Sequence, residues 1–313
     1  MKGITHIILL LAIGVGISSC SKNEEALNPS NADVTYQVPQ GNAAYDQTIT
    51  GYYNTYGSYL LYKFSDRDAY WTPTMWKKPV QSSTGNWSVG ADVVPAIADY
   101  IAPQLDLIDK SLFSLYPASF LKQFLPVKLL LCSKVDSIYT TYVFTPVYTP
   151  AKGVKKIAAY YSYDNIAINY GDASVNQMTA AEKLAFLARL NQVLFQSIND
   201  RGLIKPTIEF NNSADYSTTL TTQAAAYGKG IISTYYSATA LSDWNAFVMA
   251  MVTLSETDLN RSVANTNSSA VGILNATKDA NGLIRKRYNI VRNYYINTYQ
   301  VDLQKIGNKA RGM

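Results

Sequence analysis

Apolar residues recur at spacings of three and four from Asp92 to Leu115, through Val93, Ile97, Ile101, Leu105, Ile108 and Leu112. This period predicts an amphipathic helix, interrupted or kinked near Pro103. Tyr59–Phe64, Lys128–Cys132, Tyr139–Phe144 and Lys156–Tyr163 instead alternate or stay apolar over strand lengths, with Pro146, Pro150 and Gly153 between them. Tyr59–Phe64 suits a strand, and the last three read as an antiparallel sheet. Thr179-Ala180-Ala181-Glu182 then forms a capping-box pattern, and Gly202 supplies a stop, bracketing a helix from Ala180 to Arg201. Leu184, Leu187, Asn191, Leu194, Phe195 and Ile198 share one face of it, so Asn191 is a polar residue in an apolar stripe and must be buried and hydrogen-bonded. Ala224–Gly230 and Asp243–Leu254 read as further helices, and a last one runs from Leu283 to about Tyr299, with Ile284, Tyr288, Val291, Tyr295 and Thr298 aligned. With neither an internal repeat nor a second core, the pattern predicts one α+β domain over residues 45–313, a mixed or antiparallel sheet packed on long helices.

The N-terminus carries a different pattern. Lys2 precedes an apolar run from Ile7 to Ile17, about 11 residues, which suits a signal peptide and is too short to span a bilayer. The run ends in Ile17-Ser18-Ser19-Cys20, which resembles a bacterial lipobox. Residues 1–19 are therefore expected to be a lipoprotein signal peptide, Cys20 to carry the lipid, and residues 20–44 to be a flexible tether. Lys22-Asn23-Glu24-Glu25 resembles the export signal that carries Bacteroidota lipoproteins to the outer face of the outer membrane, so a surface-exposed outer-membrane lipoprotein is expected.

Composition narrows the chemistry. The net charge is +5; without residues 1–19 it is +4, spread without a basic block, and nucleic acid is not an expected partner. The single histidine is His6, within the signal peptide, so the mature chain holds no imidazole. A His-ligated catalytic zinc, a Ser/His/Asp triad and a Cys/His dyad all need one. Cys132 is left alone once Cys20 is acylated, and its setting in Val127–Cys132 reads as a buried strand with a structural thiol. Carboxylate chemistry survives, yet Asp66-Arg67-Asp68 reads as a solvated turn, Asp106 and Asp109 as a helix's wet face, and Ser255-Glu256-Thr257-Asp258 as a helix cap. Tyrosine is abundant, at 25 residues, so much of the aromatic content carries a hydroxyl.

Four stretches carry a resemblance to a known family. They are Phe120–Leu131, Lys155–Ala158, Gln223–Tyr236 and Arg287–Leu303. Together they resemble the Bacteroidota zinc-binding metallopeptidase lipoproteins, also called substrate import-associated zinc metallohydrolases. The resemblance implies a zincin-like metallopeptidase fold. It also implies that the helix after the sheet carries His-Glu-x-x-His, two imidazoles on one face with a glutamate that activates the zinc-bound water. The corresponding residues here are Asn191-Gln192-Val193-Leu194-Phe195, which offer neither the ligands nor the base. The family's later acidic motif falls near Asp243–Val248, with its last glutamate replaced by Val248.

Zinc is accordingly expected to be absent, with no other cofactor. The leading expectation is a catalytically inactive member acting as a binding or scaffolding subunit beside a SusC/SusD-type nutrient uptake system, as the resemblance implies. Asn191, Gln192 and Phe195 would line or plug the former metal pocket, or simply be helix core, the reading favoured for Phe195. The alternative is a surface glycan- or peptide-binding lipoprotein in which Trp71, Trp76 and Trp87 form the recognition face, against the plain reading that they are core. A hydrolase working through carboxylates alone is the third and weakest reading.

Overall fold

A computed structural model describes residues 36–313. The expected signal peptide, Cys20 and Lys22–Glu25 lie outside the described residues.

Gln37–Met313 forms one compact unit. It opens with helix α1 (Ala44–Tyr56), strand β1 (Tyr59–Leu61) and helix α2 (Asp66–Tyr70), followed by β2 (Gly90–Pro95), α3 (Ile101–Ser111) and α4 (Ala118–Phe124). Strands β3 (Lys128–Val143), β4 (Thr149–Lys156), β5 (Ala159–Ser162) and β6 (Asn165–Ile168) come next. The rest is helical: α5 (Ala180–Asp200), α6 (Ile208–Asn211), α7 (Gln223–Gly228), α8 (Ala240–Thr253), α9 (Glu256–Asn260), α10 (Leu283–Tyr299) and α11 (Leu303–Ala310). This is the α+β class, with a mixed sheet.

β3 organises the sheet. Its first half pairs in parallel with β1 (Leu60↔Leu129) and with β6 (Leu130↔Ala167), which the helical crossovers on either side permit. Its second half pairs antiparallel with β2 (Val93↔Val135) and β4 (Ile138↔Val154), and β5 closes antiparallel on β6. The expected strands Lys128–Cys132 and Tyr139–Phe144 are therefore one strand of 16 residues, and the sheet is not wholly antiparallel.

The expected helix from Asp92 divides. Gly90–Pro95 is strand and the helix starts at Ile101, which places Pro103 in its first turn. An amide there has no intrahelical acceptor, so Pro103 begins the helix without kinking it. Contacts also reach into the stretch expected to be tether. Gln40 accepts hydrogen bonds from the backbone nitrogens of Tyr62 and Lys63 at 2.9 and 3.0 Å, which fastens this part of the chain to the end of β1.

Leu129 and Leu131 point into the main core, which α5 seals with Phe186, Leu190, Val193 and Leu194. α5 packs on β5 and β6 and also on α3, α8 and α11, so it is the central helix. Leu130 and Cys132, alternating to the opposite face, are equally buried. α2 is fastened near there by Lys128 and Asn165, which donate to the Asp68 carbonyl at 2.9 and 3.1 Å. Burial pushes the Cys132 thiol well above its ordinary range, as befits a structural residue.

Candidate functional site

α5 begins as its sequence predicts. Thr179 Oγ1 accepts from the Glu182 nitrogen at 3.2 Å, and the Glu182 carboxylate accepts from the Thr179 nitrogen at 2.8 Å. The helix ends at a left-handed Gly202 with φ 62°. Its geometry sends the three motif-equivalent positions to different surroundings.

Asn191 is wholly buried. Its Oδ1 accepts from the Tyr116 hydroxyl at 2.5 Å, while Nδ2 donates to the carbonyls of Ser111 at 2.9 Å and Leu187 at 2.7 Å. Ser111 is the last residue of α3, whose carbonyl has no intrahelical partner, so the Asn191 amide ties the end of α3 to the middle of α5. Phe195, one turn on, is buried among the rings of Tyr116, Phe120 and Tyr295, with centroids 6.2, 6.1 and 6.0 Å away. It is part of the aromatic core. Gln192 turns outward to a groove of about 630 Å³ between α5 and the C-terminal helix, where its Oε1 accepts from Arg189 Nη1 at 2.9 Å.

Val248 is buried in the core on α8. Asp243, at the start of that helix, is buried too, but it faces a partner that sequence reasoning missed. Its Oδ2 meets Arg287 Nη2 of α10 at 2.7 Å, with both side chains fully out of solvent. Oδ1 accepts from the backbone nitrogens of Ile232 and Ser233, each at 2.8 Å, and Tyr216 donates to Oδ2 at 3.0 Å. The guanidinium donates to Ser213 Oγ at 2.7 Å and lies 3.9 Å from the centre of the Phe210 ring. Burial, with the Asp243 charge second, pushes the Tyr216 hydroxyl well above its ordinary range. A signal existed: Arg287 falls three residues after Ile284 and four before Val291, inside the apolar stripe of α10.

The other candidates separate. Trp71 and Trp76 face each other across an antiparallel bridge and are about half exposed, at 45% and 49%. Trp87 is not with them: Lys152 Nζ sits 4.6 Å from its ring centre, and its backbone nitrogen donates to Thr140 Oγ1 at 2.8 Å. The acids are engaged locally. Asp66 pairs with Lys78 at 2.6 Å, Asp68 accepts from the Ser65 nitrogen at 2.7 Å, Asp106 pairs with Lys110 at 2.6 Å, and the Ser255 hydroxyl donates to Asp258 at 2.9 Å.

Whether these residues fit a metal can be tested on their contacts. At positions 191, 192 and 195 the groups are an amide oxygen already accepting a tyrosine proton, an amide turned to solvent, and a ring. They do not form a zinc site. Among the described residues, no group of three or more His, Cys, Asp or Glu side chains could hold a metal ion.

No curated protein sequence matches the chain. Among solved structures, one similar to it is a crystal structure titled "putative zinc-binding metallo-peptidase" from Bacteroides caccae, with 11% identity, a TM-score of 0.42, and coverage of 85% of this chain and 91% of that one. A family model described as "Putative zinc-binding metallo-peptidase" matches residues 81–304. That description overturns the expectation that zinc has no part in this protein: zinc is the metal associated with the family, and positions 191, 192 and 195 show only that these three residues are not arranged as its ligands. The match spans most of the chain, which thus belongs to the zinc-binding metallo-peptidase family.

Proposed function

We propose that the chain has lost peptide hydrolysis at the α5 site and serves as a binding or scaffolding subunit, held at the outer membrane by a lipid on Cys20 and associated with a SusC/SusD-type uptake system. The observation that carries this reading is the use made of Asn191 and Phe195. A catalytic helix needs groups facing an open cleft, with a base that can take a proton from water. Here Asn191 spends its amide on joining two helices, Phe195 is core, and Gln192 is a neutral amide. The lipobox-like Ile17–Cys20 supports the membrane attachment, and the family resemblance supports the uptake association.

The test is hydrolysis of casein-derived peptides by the purified lipoprotein, with and without added zinc, read by mass spectrometry of new termini. No cleavage is expected in either condition. Cleavage that follows the protein through two chromatographic steps overturns the reading. In cells, Cys20→Ala should release the chain from the outer-membrane fraction, and crosslinking of the native protein should recover a transporter barrel and its lid; retention of the variant, or recovery of neither, overturns those parts.

A second reading, glycan or peptide binding by aromatic loops, is favoured by the half-exposed Trp71–Trp76 pair. Binding of a soluble glycan that is lost in Trp76→Ala supports it; unchanged binding excludes that surface.

A further inference from the structure

The hairpin of β3 and β4 outruns the sheet. β2 pairs with β3 no further than Ile138, whereas β4 continues alongside to the pair Val143↔Thr149, about 17 Å beyond. At its end Phe144, Val147 and Tyr148 are 74%, 68% and 60% exposed, and the Tyr148 ring stacks on that of Tyr142 with centroids 5.0 Å apart. From residue 137 to 151 the chain carries no charge, and from 152 to 156 it carries Lys152, Lys155 and Lys156 with no acid. The side chains are layered. Phe144 and Val147 are in the turn, the stacked Tyr142 and Tyr148 lie behind them, and two residues further back Lys152, opposite Thr140, holds its ammonium 4.6 Å from the centre of the Trp87 ring. A solvated turn is ordinarily built of Gly, Asn, Asp and Ser. An aromatic one leaves apolar area that packing within the chain does not cover.

We infer that this turn dips into the lipid interface of an anionic bilayer, as a second membrane contact beside the lipid on Cys20, and sets the orientation of the domain on the membrane. The order of the layers selects a bilayer. From its interior outward a bilayer presents hydrocarbon, then a headgroup level where the amphipathic rings of Tyr and Trp settle, then phosphate charge that lysine meets. Phe144 and Val147, then Tyr142 and Tyr148, then Trp87 and Lys152 follow that order from the turn backward, with Lys152 about 6.8 Å behind the tyrosines. A protein interface instead has a polar rim around its apolar centre. Here the apolar residues are at the extremity, and the charge behind them is of one sign. The tether permits the contact. Gln40 is fastened beside Leu61, whose register partner Leu130 lies 13 residues before Val143, so at most about 44 Å of strand separates that level from the turn. The 20 residues from Cys20 to Gln40 span up to about 66–72 Å. The inference rests on the lipid attachment proposed above for bringing the turn to a membrane, while the chemistry of the turn is independent of it. One turn of this size holds a bilayer weakly and reversibly, so it orients a chain that is already anchored.

The test uses the mature chain, residues 20–313, with Cys20→Ala so that it bears no lipid, and vesicles of phosphatidylethanolamine with a quarter phosphatidylglycerol, followed by co-sedimentation. Saturable, salt-sensitive binding is expected, and weaker binding to phosphatidylcholine alone. Phe144→Ser combined with Val147→Ser should weaken it roughly tenfold or more with an unchanged thermal melt, since both side chains are exposed. Lys152→Gln should weaken binding to the anionic vesicles only. In Phe144→Trp, vesicles should shift the emission to the blue, and brominated acyl chains should quench it, which a contact through lysines alone does not produce. No sedimentation, sedimentation indifferent to the double substitution, or an unshifted Phe144→Trp emission overturns the proposal. Loss of transporter crosslinks in the double variant, with no vesicle binding by the unsubstituted turn, also overturns it and gives the turn to a protein partner. Failure of the Cys20 reading shows separately, in washed membranes of Cys20→Ala cells, because a contact this weak does not survive washing.

Discussion

Arg287 of α10 and Asp243 of α8 form an ion pair from which water is excluded, at 2.7 Å, with the carboxylate also accepting two backbone amides of the segment between α7 and α8. The start of α8, the loop just before it and the distant α10 meet at these two side chains. A buried pair adds little over a well-packed apolar replacement, but removal of one partner leaves an uncompensated charge. Arg287→Met is therefore expected to lower unfolding stability by about 3–5 kcal/mol, measured by urea denaturation. Adding Asp243→Asn to that variant, which removes the charge but keeps an oxygen for the Ile232 and Ser233 amides, should recover part of the loss, and a double variant no more stable than the single one would contradict the account.

Asn191 joins α3 and α5 in the same economical way, through one side chain. Asn191→Leu keeps the volume but strips partners from the Tyr116 hydroxyl and the Ser111 carbonyl, both buried in apolar surroundings. Each orphaned group costs about 1–3 kcal/mol, so a combined loss of about 2–6 kcal/mol is expected in the same assay. Tyr116→Phe, which removes only one of these bonds, should cost less than Asn191→Leu.

The neighbours of Asn191 should separate sharply. Phe195→Ala empties a site bounded by three aromatic rings and is expected to cost about 3–5 kcal/mol. Gln192→Glu, half-buried and already beside the Arg189 guanidinium, should change stability by no more than about 0.5 kcal/mol. Restoring the carboxylate there should also bring no peptide cleavage, because Asn191 and Phe195 beside it on α5 offer no imidazole and are engaged in the core. Hydrolysis by Gln192→Glu would show that α5 retains a competent cleft.

The sequence made α5 and α10 legible because their period is local, and for α5 the caps are local too: Thr179, Glu182 and Gly202 are read within one helix. β3 was split because its polar middle looked like a break. Lys134 there pairs with Asp92 of β2 at 2.7 Å, a partner supplied from 42 residues away, so the polarity marks a surface face of a continuous strand. Val93 and Ile97 matched the helical period by coincidence: pairing of β2 with β3 holds Val93 in a strand, and Ile97 keeps an extended backbone between β2 and α3. Asn191 stood out as a short polar side chain in an apolar stripe. Arg287 occupies an equivalent place on α10 but escaped notice, since a long arginine can usually carry its charge out to water.

Lys278 gives the fold a pH signature. Only 2% exposed, it donates to the carbonyls of Ser269 and Val271 at 2.7 and 2.8 Å and lies 5.0 Å from the centre of the Tyr227 ring. Burial pushes its pKa down to about 8. Between there and the ordinary lysine value near 10.4, the unfolded chain holds a proton that the folded chain has released, so this group makes stability rise with pH across that window. Tyr227, raised to about 12 by burial, acts in the opposite sense, and only above pH ~10, where an unfolded tyrosine ionises first. Urea midpoints measured from pH 7.5 to 9.5 should therefore climb more steeply in the wild type than in Lys278→Met. Parallel curves would show that the ammonium is better solvated than its surroundings indicate.

The packing of α11 on α8 depends on the smallest side chain available. A Cβ at Gly307 would run into the Met251 and Leu254 carbonyl oxygens, both backbone atoms at the end of α8, so no rotamer change can relieve the contact. Ordinarily an exposed helical glycine gains stability on replacement by alanine. Gly307 is buried and should do the reverse, because α11 must move away from α8 to admit the methyl group. That displacement would also stretch the bonds from Gln304 Nε2 to the Leu254 carbonyl and from Tyr288 to Gln304 Oε1, now 2.8 and 3.0 Å. Gly307→Ala is expected to cost about 1–3 kcal/mol, with faster hydrogen exchange across residues 303–310. Gly51→Ala on α1, where a Cβ meets nothing within 4 Å, is the matching control and should stabilise the fold by about 0.5–1 kcal/mol. Opposite signs for the two variants would establish that close backbone approach, and not glycine's flexibility, is what α11 requires.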